Sequence, residues 1–137
     1  GTFFKELKAK GDIEITNDFF KLNGNLSYDY YAAGEFFGYD AGNFSAKFSA
    51  KTNVLYNHVN QTLDGTASLE GAFSLNINIP LYGEYNAASG NGIAKATLKA
   101  TENYIELKGT LKYEYSLLGD LFTSPKKGEE EIGFRYE

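Results

Sequence analysis

Few side chains in this sequence are of the kinds that do chemistry. There is a single histidine, His58, and no cysteine. An imidazole can serve as a base or a metal ligand, but either role needs partners that orient it or share the ion. The segment Tyr56-Asn57-His58-Val59-Asn60 offers no second histidine, so a solvated turn is the expected setting. Glu129-Glu130-Glu131 gathers three carboxylates without the Asp/Asn spacing of a calcium loop, and reads as a solvated charge run. Gly90-Asn91-Gly92 is a turn signal rather than a phosphate cradle. These residues predict a non-enzymatic protein with no catalytic residue, no metal and no cofactor.

A different chemistry is signalled by three N-glycosylation sequons, at Asn25, Asn43 and Asn60. With 12 Asn in the chain, chance supplies roughly one or two such triplets. The excess predicts a secreted glycoprotein.

The elements that must position any site are written in alternation. From Phe20 to Tyr30 the even positions are Phe20, Leu22, Gly24, Leu26, Tyr28 and Tyr30, with Lys21, Asn23, Asn25, Ser27 and Asp29 between them. Ile105 to Tyr115 follows the same plan, with Leu107, Gly109, Leu111 and Tyr113 on one face and Glu106, Lys108, Lys112 and Glu114 on the other. A third stretch runs from Leu63 through Gly65, Ala67, Leu69, Gly71 and Phe73 to Ile79. Thr16–Phe37 aligns without gaps on Thr101–Phe122, and the middle copy joins through Leu63-Asp64-Gly65, which matches Leu22-Asn23-Gly24 and Leu107-Lys108-Gly109. The repeat is therefore a β-hairpin of roughly 41–44 residues, present three times. First arms are expected at about 7–15, 44–54 and 93–100, with Gly-rich connections at 32–43 and 83–92 between the hairpins. A last short strand carries Ile132, Phe134 and Tyr136.

With 137 residues, 11 Tyr and 11 Phe, the chain is long enough for one domain, spanning 1–137, and its bulky β-formers leave no segment that reads as helix. The fold class predicted is all-β: a strongly curved antiparallel up-and-down sheet of about seven strands, barrel-like or two-layered. An apolar face must be covered. With no helix to cover it, curling is the economical solution, and Gly24, Gly65 and Gly109 on that face would mark a crease if they stand side by side. The net charge of −5 argues against nucleic acid, and no apolar run of about 18 residues is present to span a membrane as a helix.

Curled sheets of this kind can enclose an apolar molecule. The expected ligand-binding residues are Leu26, Tyr28, Tyr30, Leu111, Tyr113 and Tyr115, the phenols orienting a polar head. Packing against one another is the alternative role for the same side chains. The aromatic segment Glu35-Phe36-Phe37-Gly38-Tyr39 is a candidate lid, membrane-touching tip, partner contact or plug for one end of the barrel; Phe3 and Phe4 pose the same choice, or start an extra strand that pairs with a neighbouring subunit. The rival to a hydrophobic-ligand carrier is an extracellular structural or adhesive module that self-associates through open strand edges.

From Gly71 to Leu121 the run Phe73-x-Leu75-x-Ile77-x-Ile79-Pro80, Gly83-x-Tyr85, Gly90-x-Gly92-x-Ala94 and Leu107-x-Gly109-x-Leu111 resembles part of the takeout and juvenile-hormone-binding protein family. The resemblance covers about 50 of 137 residues. It implies an extracellular carrier whose curved sheet lines a cavity for a lipid-like ligand. The family's long helix and N-terminal cysteine pair have no counterpart in this sequence.

Overall fold

The computed structural model describes residues 2–36, 39–118 and 126–137, with the side chain of Phe36 also left aside. These residues form seven strands: β1 (Thr2–Ile15), β2 (Phe19–Phe36), β3 (Tyr39–Asn57), β4 (Thr62–Ile79), β5 (Gly83–Ala100), β6 (Ile105–Leu117) and β7 (Lys126–Tyr136). They make one sheet in the order β1-β2-β3-β4-β5-β6-β7, every neighbouring pair antiparallel. The sheet is curved and open. The closed form of the barrel-like expectation is thus corrected. With an odd number of up-and-down strands, β1 and β7 run in the same direction, so a closing seam would have to be a parallel pair unlike any other in the sheet.

The hairpin repeat is structural as well as sequential. Thr16 Oγ1 accepts hydrogen bonds from the backbone N–H groups of Asp18 (3.1 Å) and Phe19 (3.0 Å). At the equivalent turn, Thr101 Oγ1 accepts from Asn103 (3.1 Å) and Tyr104 (3.3 Å). The middle turn uses an asparagine for the same purpose: Asn57 Oδ1 accepts from Val59 (2.9 Å) and Asn60 (3.0 Å). In each case a short polar side chain satisfies turn amides that the ladder cannot reach.

Two expectations are corrected by the register. The Gly-rich segments 32–43 and 83–92 do not form loops between hairpins. They belong largely to strands, so that β2 to β5 each hold 18 or 19 residues and extend about 60 Å if straight. Small residues there make room for large cross-strand neighbours: a Cβ on Gly90 would lie 2.7 Å from the Phe73 ring. Register shifts at Gly34/Glu35 and at Leu75/Asn76 bend these long strands. Near the first, Gly42 adopts φ +139°, and a Cβ there would strike the carbonyl oxygen of Asn76.

The second correction concerns the glycine crease. Gly24 and Gly109 do share one row across the sheet, but Gly65 stands one row away, between Val54 and Leu98. Ala67 takes the place on β4 between Thr52 and Ala96. The turns themselves are alike, since four residues lie between the partners of the last pairs Ile15·Phe20, Asn57·Thr62 and Ala100·Ile105, but Leu63 follows its last pair by one residue whereas Leu22 and Leu107 follow theirs by two.

Phe3 and Phe4 begin β1 and pair with Ala32 and Tyr31 of β2. Of the aromatic segment at 35–39, Phe37 and Gly38 lie outside the described residues, while the Tyr39 hydroxyl donates to the Asn78 carbonyl at 2.9 Å. No helix among the described residues is long and apolar enough to cross a membrane.

Candidate functional site

No described residue is buried. A single curved layer has one apolar face and nothing laid over it, so its large side chains remain partly in water. On the inner strands Leu26 is 37% exposed and Leu111 38%, whereas on β1 Leu7 is 63% and Ile15 70% exposed. The apolar face is where a site must be sought.

Row by row across the ladder, that face has three zones. At its middle runs a belt of mostly small residues: Gly11, Gly24, Thr52, Ala67, Ala96, Gly109 and Ile132, one from each strand. The next row alternates Ala9, Leu26, Ala50, Leu69, Ala94 and Leu111, and ends at Glu130 on β7. First arms of the hairpins supply alanine and second arms supply leucine. Above these two rows lies a hollow of about 940 Å³ bordered by all seven strands, from Ala9 and Gly11 to Ile132. Edge strands border the same hollow because the sheet curls around it.

Beyond the leucine row the face turns aromatic. Tyr28, Phe48 and Tyr113 share one row, and Tyr30, Phe73 and Tyr115 share the next. Tyr30 meets Phe3 and Phe44 edge-on at centroid distances of 5.4 and 6.0 Å, while Tyr113 and Tyr115 lie nearly parallel at 6.5 Å. Such pairs hold ring positions and add to area burial. The Tyr113 ring also lies directly over Gly128, where any Cβ would overlap it. In the opposite direction the belt gives way to Ile13, Leu22, Val54, Leu98, Leu107 and Phe134.

The six side chains singled out from the sequence are therefore divided. Leu26 and Leu111 line the hollow. Tyr28, Tyr30, Tyr113 and Tyr115 stand on the same face toward one end and do not border the hollow; there Tyr30, Tyr113 and Tyr115 pack with other rings or over glycine. Sequence reasoning missed the alanines and Thr52 that form the floor. Their signal was present as the small residues between apolar ones in 50–52, 67–69 and 94–96, but small residues also mark weak strands and turns.

The polar face carries the remaining candidates. His58 is exposed in its turn, with its ring edge-on to Tyr56 at 4.8 Å. The three consecutive glutamates are split by the pleat: Glu130 faces the hollow, and Glu129 sits 3.7 Å from Lys112 on the other side. Among the described residues no group of three His, Cys, Asp or Glu is arranged to hold a metal. Of the sequon asparagines, Asn25 and Asn60 are exposed, whereas Asn43 Oδ1 accepts from Asn76 Nδ2 at 3.0 Å in a ladder continued by Asn86.

No family model, no curated protein and no solved structure matches this chain. The fold and the apolar hollow define its class by geometry alone: an open, curved, single-layer antiparallel sheet.

Proposed function

We propose that this chain is a secreted, non-catalytic binding protein that holds a lipid or other hydrophobic small molecule against the curved sheet. One observation carries the reading: a continuous apolar face, covered by no described element of the chain, contains a hollow of about 940 Å³. That volume falls in the upper part of the range of about 300–1,000 Å³ for small-molecule sites. A ligand removing ~400 Å² of apolar surface from water would gain ~10 kcal/mol before the costs of binding are subtracted. The apolar tail would lie over the small-residue belt between Leu26, Leu69 and Leu111. The aromatic end offers the Tyr28, Tyr30, Tyr113 and Tyr115 hydroxyls to a polar head. Asn25 and Asn60, both exposed, are the sequon positions a glycan would occupy in the secretory pathway.

Native mass spectrometry of the purified protein, followed by organic extraction, tests the reading. The expected result is a co-purifying lipid-like mass bound in fixed ratio per chain, whatever the number of chains in the particle. A ligand-free protein that takes up no fatty acid or retinoid-type probe would overturn it.

A further inference from the structure

The two open edges of the sheet are not alike. On β7 the apolar face is interrupted by Glu130 and by Lys126, which stands in the row of Tyr115. Inward-facing charges of this kind discourage the addition of another strand. On β1 Lys5 stands in that same row, but from Leu7 to Ile15 the apolar-face positions are Leu7, Ala9, Gly11, Ile13 and Ile15, with no charge among them and no counterpart of Glu130.

The other face of the same stretch is Lys8, Lys10, Asp12 and Glu14. About Gly11 this pattern is a palindrome of opposite sign. An antiparallel copy of β1 centred there sets Lys8 against Glu14, Lys10 against Asp12, Leu7 against Ile15 and Ala9 against Ile13. Within the chain β2 sets a charge against only one of the four: Glu14 opposes Lys21, whereas Lys8, Lys10 and Asp12 oppose Ser27, Asn25 and Asn23. Lys8 reaches along its own strand to Glu6 at 2.8 Å.

Backbone geometry agrees. The Thr16 N–H donates to the Phe19 carbonyl at 2.8 Å, which makes Ile15·Phe20 a non-hydrogen-bonded pair of the β1–β2 ladder. No register shift interrupts that ladder. The odd residues of β1 therefore direct their N–H and C=O groups outward, and in the Gly11-centred register odd residues face odd residues.

We propose that β1 is a self-pairing edge through which two copies of this chain form a symmetric antiparallel dimer about Gly11. The two-fold axis stands normal to the sheet, so both apolar faces lie on the same side. The small-residue belt then runs on through Gly11 into the second copy. A closed dimer also removes the edge whose central stretch, Leu7 to Ile15, carries no inward charge. The proposal is independent of what occupies the hollow.

Light scattering on wild type and two charge variants tests it. Wild type is expected at twice 15.2 kDa. Lys8→Glu/Lys10→Glu and Asp12→Lys/Glu14→Lys each place like charges opposite one another, and each is expected as a monomer with a dimer Kd raised at least tenfold. Mixed in equal amounts they should return to dimer, since every facing pair is again opposite in sign. A wild-type monomer at tens of micromolar overturns the proposal. So does a dimer indifferent to these charges, as a face-to-face pair would be, or a series of masses growing with concentration, as β7-to-β1 chaining would give. If a charge variant does not fold, Gly11→Cys decides. The chain has no cysteine, an added Cβ there meets only the Asn23 carbonyl oxygen at 3.6 Å, and hydrogen-bonded antiparallel pairs place Cα atoms about 5.5 Å apart, within disulfide reach. Oxidation should crosslink Gly11→Cys and leave Gly133→Cys on β7 as a monomer. The reverse pattern, or no crosslink at Gly11→Cys, overturns the proposal.

Discussion

The middle of the apolar face and its aromatic end belong to the same strands and the same alternation, yet one is hollow and the other is filled. In the belt, glycine, alanine and threonine face one another across the ladder, so apart from Ile132 at the β7 edge no side chain reaches far above the sheet. At the aromatic end glycine faces a ring: Phe73 leans over Gly90 and Tyr113 over Gly128. A glycine between small neighbours deepens a groove, whereas a glycine beside an aromatic is filled by it. The depth of a curved sheet is thus set by the pairing of sizes across strands, more than by the composition of any one strand.

The largest test fills the belt. Ala67→Phe with Ala96→Phe should weaken binding of a hydrophobic fluorescent probe about 100-fold, or ~2.8 kcal/mol at 1.4 kcal/mol per decade. Stability in urea should be retained or raised, because aromatic residues suit strands. Unchanged binding would mean that the hollow is not where apolar ligands sit.

The next test disturbs the filled end. Gly90→Val must displace the Phe73 ring and should cost about 1–2 kcal/mol in urea denaturation. Phe73→Ala combined with it should cost less than the sum of the single changes, with a coupling above ~0.5 kcal/mol. Simple additivity would show that the ring does not depend on that glycine. Probe binding in the belt should change little in either variant.

The smallest effect concerns the phenols. Tyr113→Phe with Tyr115→Phe should lower affinity for a fatty acid by about threefold, within the range of one net hydrogen bond, and leave a pure hydrocarbon probe unaffected. Equal losses for both probes would place the aromatic end in the apolar binding surface instead of at the polar head.

Much of this was readable before any coordinates. Period-two alternation assigned faces correctly in β2, β4 and β6, and the offset between Thr16 and Thr101 maps onto rows of the sheet. Leu22 shares a row with Leu107, Gly24 with Gly109, Leu26 with Leu111, Tyr28 with Tyr113 and Tyr30 with Tyr115. What failed was the closure of the sheet, the place of the four tyrosines relative to the hollow, and the register and strand ends. The Gly- and Ala-rich segments gave no period to follow, so the strands that continue through them were read as connections.

The sequence by itself therefore determined which side chains share a face, because that depends only on the parity of a position along its strand. Tertiary structure alone decided which residues share a row, since a slip of two residues preserves every face and is invisible to alternation. The middle copy makes that slip, with Gly65 out of the belt and Ala67 in it. The site's floor, its 940 Å³ hollow and the two unequal edges follow from that choice of register and from the curl of the sheet.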